Sequence, residues 1–134
     1  MNSNVKGPLS GVTVIDLGQI YNGPYCTFMM AMAGAEIIKV EPIGGENLRR
    51  RATVGGAAVP FAMLNSNKKF VTLNLKTALG REVFLRMIGK ADVLVENFSV
   101  GAMERLGVGH ETWCDLNPRL VDASGSGYGR TGPR

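Results

Sequence analysis

Two β-branched runs, Val12-Thr13-Val14-Ile15-Asp16-Leu17 and Ala35-Glu36-Ile37-Ile38-Lys39-Val40-Glu41, flank a single apolar segment of helix length. Each run is too short for a stable helix and bounded by breakers, Pro8 and Gly11 before the first and Pro42 after the second, so both read as buried strands. Between them, Gly18 to Gly23 forms a turn and Pro24 suits the first position of a helix, where its missing N–H would go unpaired. Tyr25 to Ala33 is apolar on nearly every side, which predicts a buried helix, and Gly34 fits a left-handed C-terminal cap. Strand, helix and strand in so short a span form a parallel βαβ unit.

The pattern recurs. Phe70 to Leu75 reads as a strand, Thr77 as the cap of a helix burying Leu79, Val83, Phe84, Met87 and Ile88, and Ala91 to Glu96 as the next strand. Ala102 to Leu106 and His110 to Leu116 read as short helices and Leu120 to Ser124 as a further strand. The fold class expected is therefore α/β, a mostly parallel sheet with flanking helices. Pro42 to Asn67 is the irregular exception, of a length that is usually functional or partly helical. There is no internal repeat. The chain closes on a glycine-rich turn, Ser124 to Arg134, directly after a strand, so the expectation is a truncated domain that stops in the site region.

Composition narrows the function. The longest apolar stretch, Tyr25 to Ala35, is interrupted by Thr27 and Gly34 and falls short of the roughly 20 residues that span a bilayer. Residues Met1 to Pro8 lack the features of a secretory signal, and a cytoplasmic protein without membrane partner is expected. Cys26 and Cys114, with His110 as the one histidine, are too few for a zinc site and are expected as buried reduced thiols. The net charge of +4 favours an anionic partner. Nucleic acid is disfavoured: aromatic content is 7% and the cations are scattered among strand ends. Neither G-x-G-x-x-G nor G-x-x-x-x-G-K-[ST] occurs, so a bound phosphate would need side-chain cations. Candidates are Arg49, Arg50, Arg51, Lys68, Lys69, Lys76 and Arg105, with Lys76 and Arg105 best placed to meet one phosphate from two directions.

These residues resemble the class III coenzyme A-transferases, a family that also includes the α-methylacyl-coenzyme A racemases. The resemblance rests on Pro8-Leu9-Ser10-Gly11-Val12 with Val14 to Leu17, Gly23-Pro24, Gly34 to Pro42 with Gly44-Gly45-Glu46, Asn65 to Lys69, Leu73 to Thr77, Ala91 to Phe98, Gly101 to Gly107 and Gly127 to Pro133. It implies a Rossmann-like large domain made from both ends of a chain about three times this length, in an interlocked homodimer; residues 1–134 would be its first half. It further implies transfer of coenzyme A from an acyl-CoA to a carboxylic acid acceptor through an aspartyl anhydride, with the thioester as substrate and no further cofactor. The nucleophilic aspartate would lie beyond Arg134, so no residue present is assigned as catalytic, and the chain by itself is expected to be inactive and poorly soluble. By the same resemblance Gln19, Ile20, Tyr21 and Asn22 would line the thioester and pantetheine approach. Leu73, Lys76, Asn97, Phe98, Ala102 and Arg105 would surround the nucleotide end. Some transferases have histidine at the place of Gln19 and glutamine at that of Tyr21, which leaves the acceptor acid open. The racemase alternative would use a His and Asp pair; Glu41-Pro42 with Gly44-Gly45-Glu46, and Asn65 to Lys68, favour the transferase.

Overall fold

The computed structural model describes residues 6–51 and 53–132. Five parallel strands form one sheet: β1 (Thr13–Asp16), β2 (Glu36–Glu41), β5 (Lys68–Thr72), β6 (Val93–Glu96) and β7 (Val121–Ser124), ordered β5-β2-β1-β6-β7. The helices are α1 (Asn22–Met32), α2 (Val59–Asn65), α3 (Ala78–Ile88), α4 (Ala102–Arg105) and α5 (His110–Leu116). The irregular stretch holds a 3₁₀ turn (Asn47–Arg50) and a small antiparallel pair, β3 (Thr53–Val54) and β4 (Ala57–Ala58), ahead of α2. No helix among the described residues is long and apolar enough to cross a membrane.

Because side chains alternate along a strand, neighbouring residues feed opposite layers. Val14, Ile37 and Val95 pack with Ala31 of α1 on one face. Ile15, Val40 and Leu94 pack with Phe84 and Ile88 of α3, Met103 of α4 and Trp113 of α5 on the other. Helices on both faces of a parallel sheet, with strand order reversing beside β1, give a Rossmann-like doubly wound fold. The reversal falls between β1 and β6, paired in register from Val14 with Val93 to Asp16 with Val95. Ligands of such sheets bind in the crevice beyond the carboxyl ends of the strands at that point.

Local signals act as expected at two places. The Thr77 hydroxyl accepts from the Gly80 N–H at 3.1 Å, capping α3. Gly34, at φ 99°, ends α1; a Cβ there would come within 3.0 Å of Ser10 Oγ and 3.2 Å of Gly7 Cα. Other expectations need correction. Helix α1 starts at Asn22, which makes Pro24 its third residue, still within the turn whose N–H groups have no helical partner. It is not wholly buried: Tyr25, Met29 and Met32 are each more than half exposed. Strand β5 comes two residues earlier than Phe70, pairing Lys68 with Ile37. Leu79 lies exposed in the first turn of α3, whereas Phe84 and Ile88 carry its buried face. Cys26 and Cys114 are both exposed.

Candidate functional site

The loop after β1 crosses the reversal point and is held from two sides. The Asn97 amide, just past β6, accepts from the Gln19 N–H through Oδ1 at 2.7 Å and donates to the Gln19 carbonyl through Nδ2 at 2.9 Å. From the other side, Glu46 Oε1 accepts from the N–H of Ile20 at 3.0 Å and of Leu48 at 3.1 Å. Between these clamps Ile20 sits at φ 62°. That is a true outlier for a β-branched residue and persists only where the surroundings impose it. The loop is also packed backbone against backbone: a Cβ on Gly23 would lie 2.6 Å from Gly18 Cα, and one on Gly18 would lie 2.8 Å from Gly23.

Beneath this loop two lysines share one carboxylate. Asp16, fully buried at the end of β1, accepts from the Gly18 N–H at 2.7 Å, the Thr27 hydroxyl at 2.7 Å and Lys68 Nζ at 3.0 Å, with Lys39 Nζ at 3.8 Å. Lys39 donates to the Gly18 carbonyl. Lys68 Nζ is further surrounded by the Pro24 carbonyl at 2.9 Å, Thr27 Oγ1 at 2.8 Å and Asn65 Oδ1 at 2.9 Å. Burial holds the Lys68 ammonium below the usual lysine value; the Asp16 charge opposes the shift and Lys39 adds to it. The unfolded chain therefore keeps this proton to higher pH than the folded one, so Lys68 makes stability rise with pH through the window between its lowered folded value and 10.5. In a ¹³C titration of the lysine side chains, the Lys68 Cε resonance is expected to move at a pH below the usual lysine value of 10.5. A midpoint at or above that value would refute the assignment.

At the carboxyl ends of β1, β2, β5 and β6 lies a cavity of about 250 Å³, walled by Leu17, Val40, Leu73, Leu75, Phe98 and Leu106. Gln19, Glu46, Asn74 and Lys76 supply its polar edge. The Lys76 side chain is exposed and makes no hydrogen bond or ion pair among the described residues. A second, more open cleft is lined by Asn22, Asn97, Phe98 and the turn Gly125 to Gly129. Phe98 stands between the two.

The structure thus gathers Gln19, Leu73, Lys76 and Phe98 around one cavity and Asn22, Asn97 and Phe98 around the adjoining cleft. Ile20 and Tyr21 belong to the loop above, Tyr21 exposed. Ala102 lines a small depression beside Phe98. Arg105 is not in the wall of the Lys76 cavity; its guanidinium turns back toward the Val100 carbonyl at 3.4 Å. Apart from Arg51, which is exposed, the other candidate cations are already engaged. Lys68 is sealed under the loop, Lys69 pairs with Glu36, and Arg50 donates to the Gly44 carbonyl. Arg49 forms a bidentate pair with buried Glu41 and lies over Phe61, 4.0 Å from the ring centroid. Glu46 and Asp16 were not among the site candidates read from the sequence: an isolated acidic residue carries no periodic signal, and their partners come from distant segments.

Comparison with known proteins bears on this arrangement. The family model described as CoA-transferase family III matches residues 9–134. The chain belongs to that family. An acetyl-CoA:oxalate CoA-transferase from Acetobacter aceti is 46% identical to this family III chain, over 96% of it and 33% of the relative. A formyl-CoA:oxalate CoA-transferase from Escherichia coli is 42% identical, over 94% of this chain and 31% of the relative. Among solved structures, a CAIB/BAIF family protein from Brucella suis superposes with a TM-score of 0.90 at 34% identity, covering 96% of this chain and 35% of that one. The family III chain spans about a third of the length of the relatives it matches.

Proposed function

We propose that this family III chain supplies the coenzyme A-binding part of an acyl-CoA:carboxylate CoA-transferase, and that the whole protein moves coenzyme A between carboxylic acids through an aspartyl anhydride, as a homodimer. The observation that carries this reading is the apolar cavity at the reversal of strand order, with Lys76, a cation whose side chain has no partner among the described residues, at its edge. Leu73 and Phe98 offer flat apolar walls suited to a nucleotide base, and Lys76 offers the charge for a phosphate. Gln19, Ile20, Tyr21 and Asn22, with Asn97 behind them, would border the pantetheine arm and thioester, and Ala102 and Arg105 the outer nucleotide. The names of the relatives favour a thioester donor and a small dicarboxylate such as oxalate as acceptor.

The test is calorimetric titration of this chain with coenzyme A. Lys76→Ala is expected to weaken binding about tenfold or more, since a charged hydrogen bond is worth roughly 1.5–3 kcal/mol, and to reduce its sensitivity to salt. Unchanged affinity in the variant would remove Lys76 from the site. No binding by the native chain would remove the proposal.

A further inference from the structure

Glu46 is 3% exposed, and no lysine or arginine pairs with it among the described residues. Its Oε1 carries both of its hydrogen bonds, while Oε2 has no partner among the described residues. Burying an anion with one oxygen unused is unfavourable. What the residue does in return is local: Oε1 joins the 3₁₀ turn, through the Leu48 N–H, to the Ile20 N–H in the loop after β1. Ile20 is the residue whose backbone departs from its preferred region, and Glu46 is the side chain that bonds its amide. Released from this acceptor, a β-branched residue returns to negative φ. The peptides on either side then rotate, and with them Tyr21, the residue that leads into α1. Glu46 also lines the Lys76 cavity, so one carboxylate touches both the apolar cavity and the loop beside it.

We propose that Glu46 is a positioning residue: it fixes the Gln19–Asn22 loop in the strained form that receives the acyl-pantetheine arm, without itself holding the nucleotide. The inference rests on the coenzyme A reading above and assigns a division of labour within that site.

The experiment compares two probes, acetyl-CoA and adenosine 3′,5′-bisphosphate, the latter lacking the arm. Glu46→Ala is expected to weaken acetyl-CoA by about tenfold, the scale of one hydrogen bond with its attendant reorganisation. The bisphosphate should bind as well or better, because a negative charge has left the cavity wall. Glu46→Gln keeps an oxygen acceptor for the Ile20 and Leu48 amides and is expected to restore acetyl-CoA affinity to within about twofold of native. Should Glu46→Ala not fold, Glu46→Asp, which withdraws the acceptor by one methylene, must show the same selective loss. Equal weakening of both probes, no weakening of either, or failure of Glu46→Gln to rescue would overturn the inference. Absence of acetyl-CoA and bisphosphate binding by the native chain would instead overturn the coenzyme A reading on which it depends.

Discussion

Replacing Lys68 by methionine is expected to lower the stability of the fold by about 3–5 kcal/mol, the usual effect of removing one partner of a buried ion pair. A domain of this size holds only about 5–15 kcal/mol in total, so the variant would be close to unfolding at room temperature. The cause is specific. Lys68 Nζ joins β5 to the Asp16 carboxylate of β1, the Pro24 carbonyl of α1 and the Asn65 side chain of α2. Methionine fills similar volume but donates nothing to these oxygens, and among the described residues it leaves Asp16 with Lys39, at 3.8 Å, as its cation. Urea unfolding followed by circular dichroism measures the loss. Lys69→Met is the control, since Lys69 is largely exposed and pairs with an exposed glutamate, and surface pairs contribute about 1 kcal/mol or less. Equal urea midpoints for the two variants would refute the account.

Gly23→Ala is expected to cost about 1–3 kcal/mol through overpacking and to abolish measurable coenzyme A binding. An added Cβ would lie 2.6 Å from Gly18 Cα and 3.4 Å from Asn97 Oδ1, so relief requires the backbone of the loop to move. Gly23 is not among the positive-φ glycines, which means that alanine meets no torsional penalty and the variant tests space alone. Gly127→Ala serves as comparison, because nothing lies within 4 Å of its added methyl group. It should unfold with the native protein. Native-like coenzyme A affinity in Gly23→Ala would show that the loop does not have to keep this shape.

How much of this was visible in the sequence depends on how far apart the interacting residues stand. Thr77 capping α3 and Gly34 ending α1 are local events, written within a few positions and legible there. The alternation of strands and helices is equally local, and it was enough for the fold class. Strand β5 was misplaced because Lys68 and Lys69 look like a polar approach to a strand; that Lys68 is interior follows only from Asp16, 52 positions away. The same distance made Lys68 look available for phosphate. Arg49 looked available for a similar reason, its partners being Glu41, Phe61 and Phe70. Apolar content overstated the burial of α1, since Tyr25, Met29 and Met32 share a face that the described residues leave more than half exposed. Of the candidate site, Lys76 was readable as a cation following a strand, whereas Leu73 and Phe98 were named through the family resemblance. The Gln19–Asn97 pairing spans 78 positions and was not readable.

That pairing has an engineering consequence. By offering an oxygen to the N–H and an N–H to the carbonyl of one residue, Gln19, Asn97 imitates main chain and adds a rung to the sheet where β1 and β6 have already ended. The two loops therefore part only above a stitched base. On the proposed function, variation aimed at accommodating a different acid belongs on the exposed rim, at Tyr21 and Asn22, whereas exchanging Gln19 for another residue would leave the stitch intact, because it is made on that side entirely by the residue's backbone.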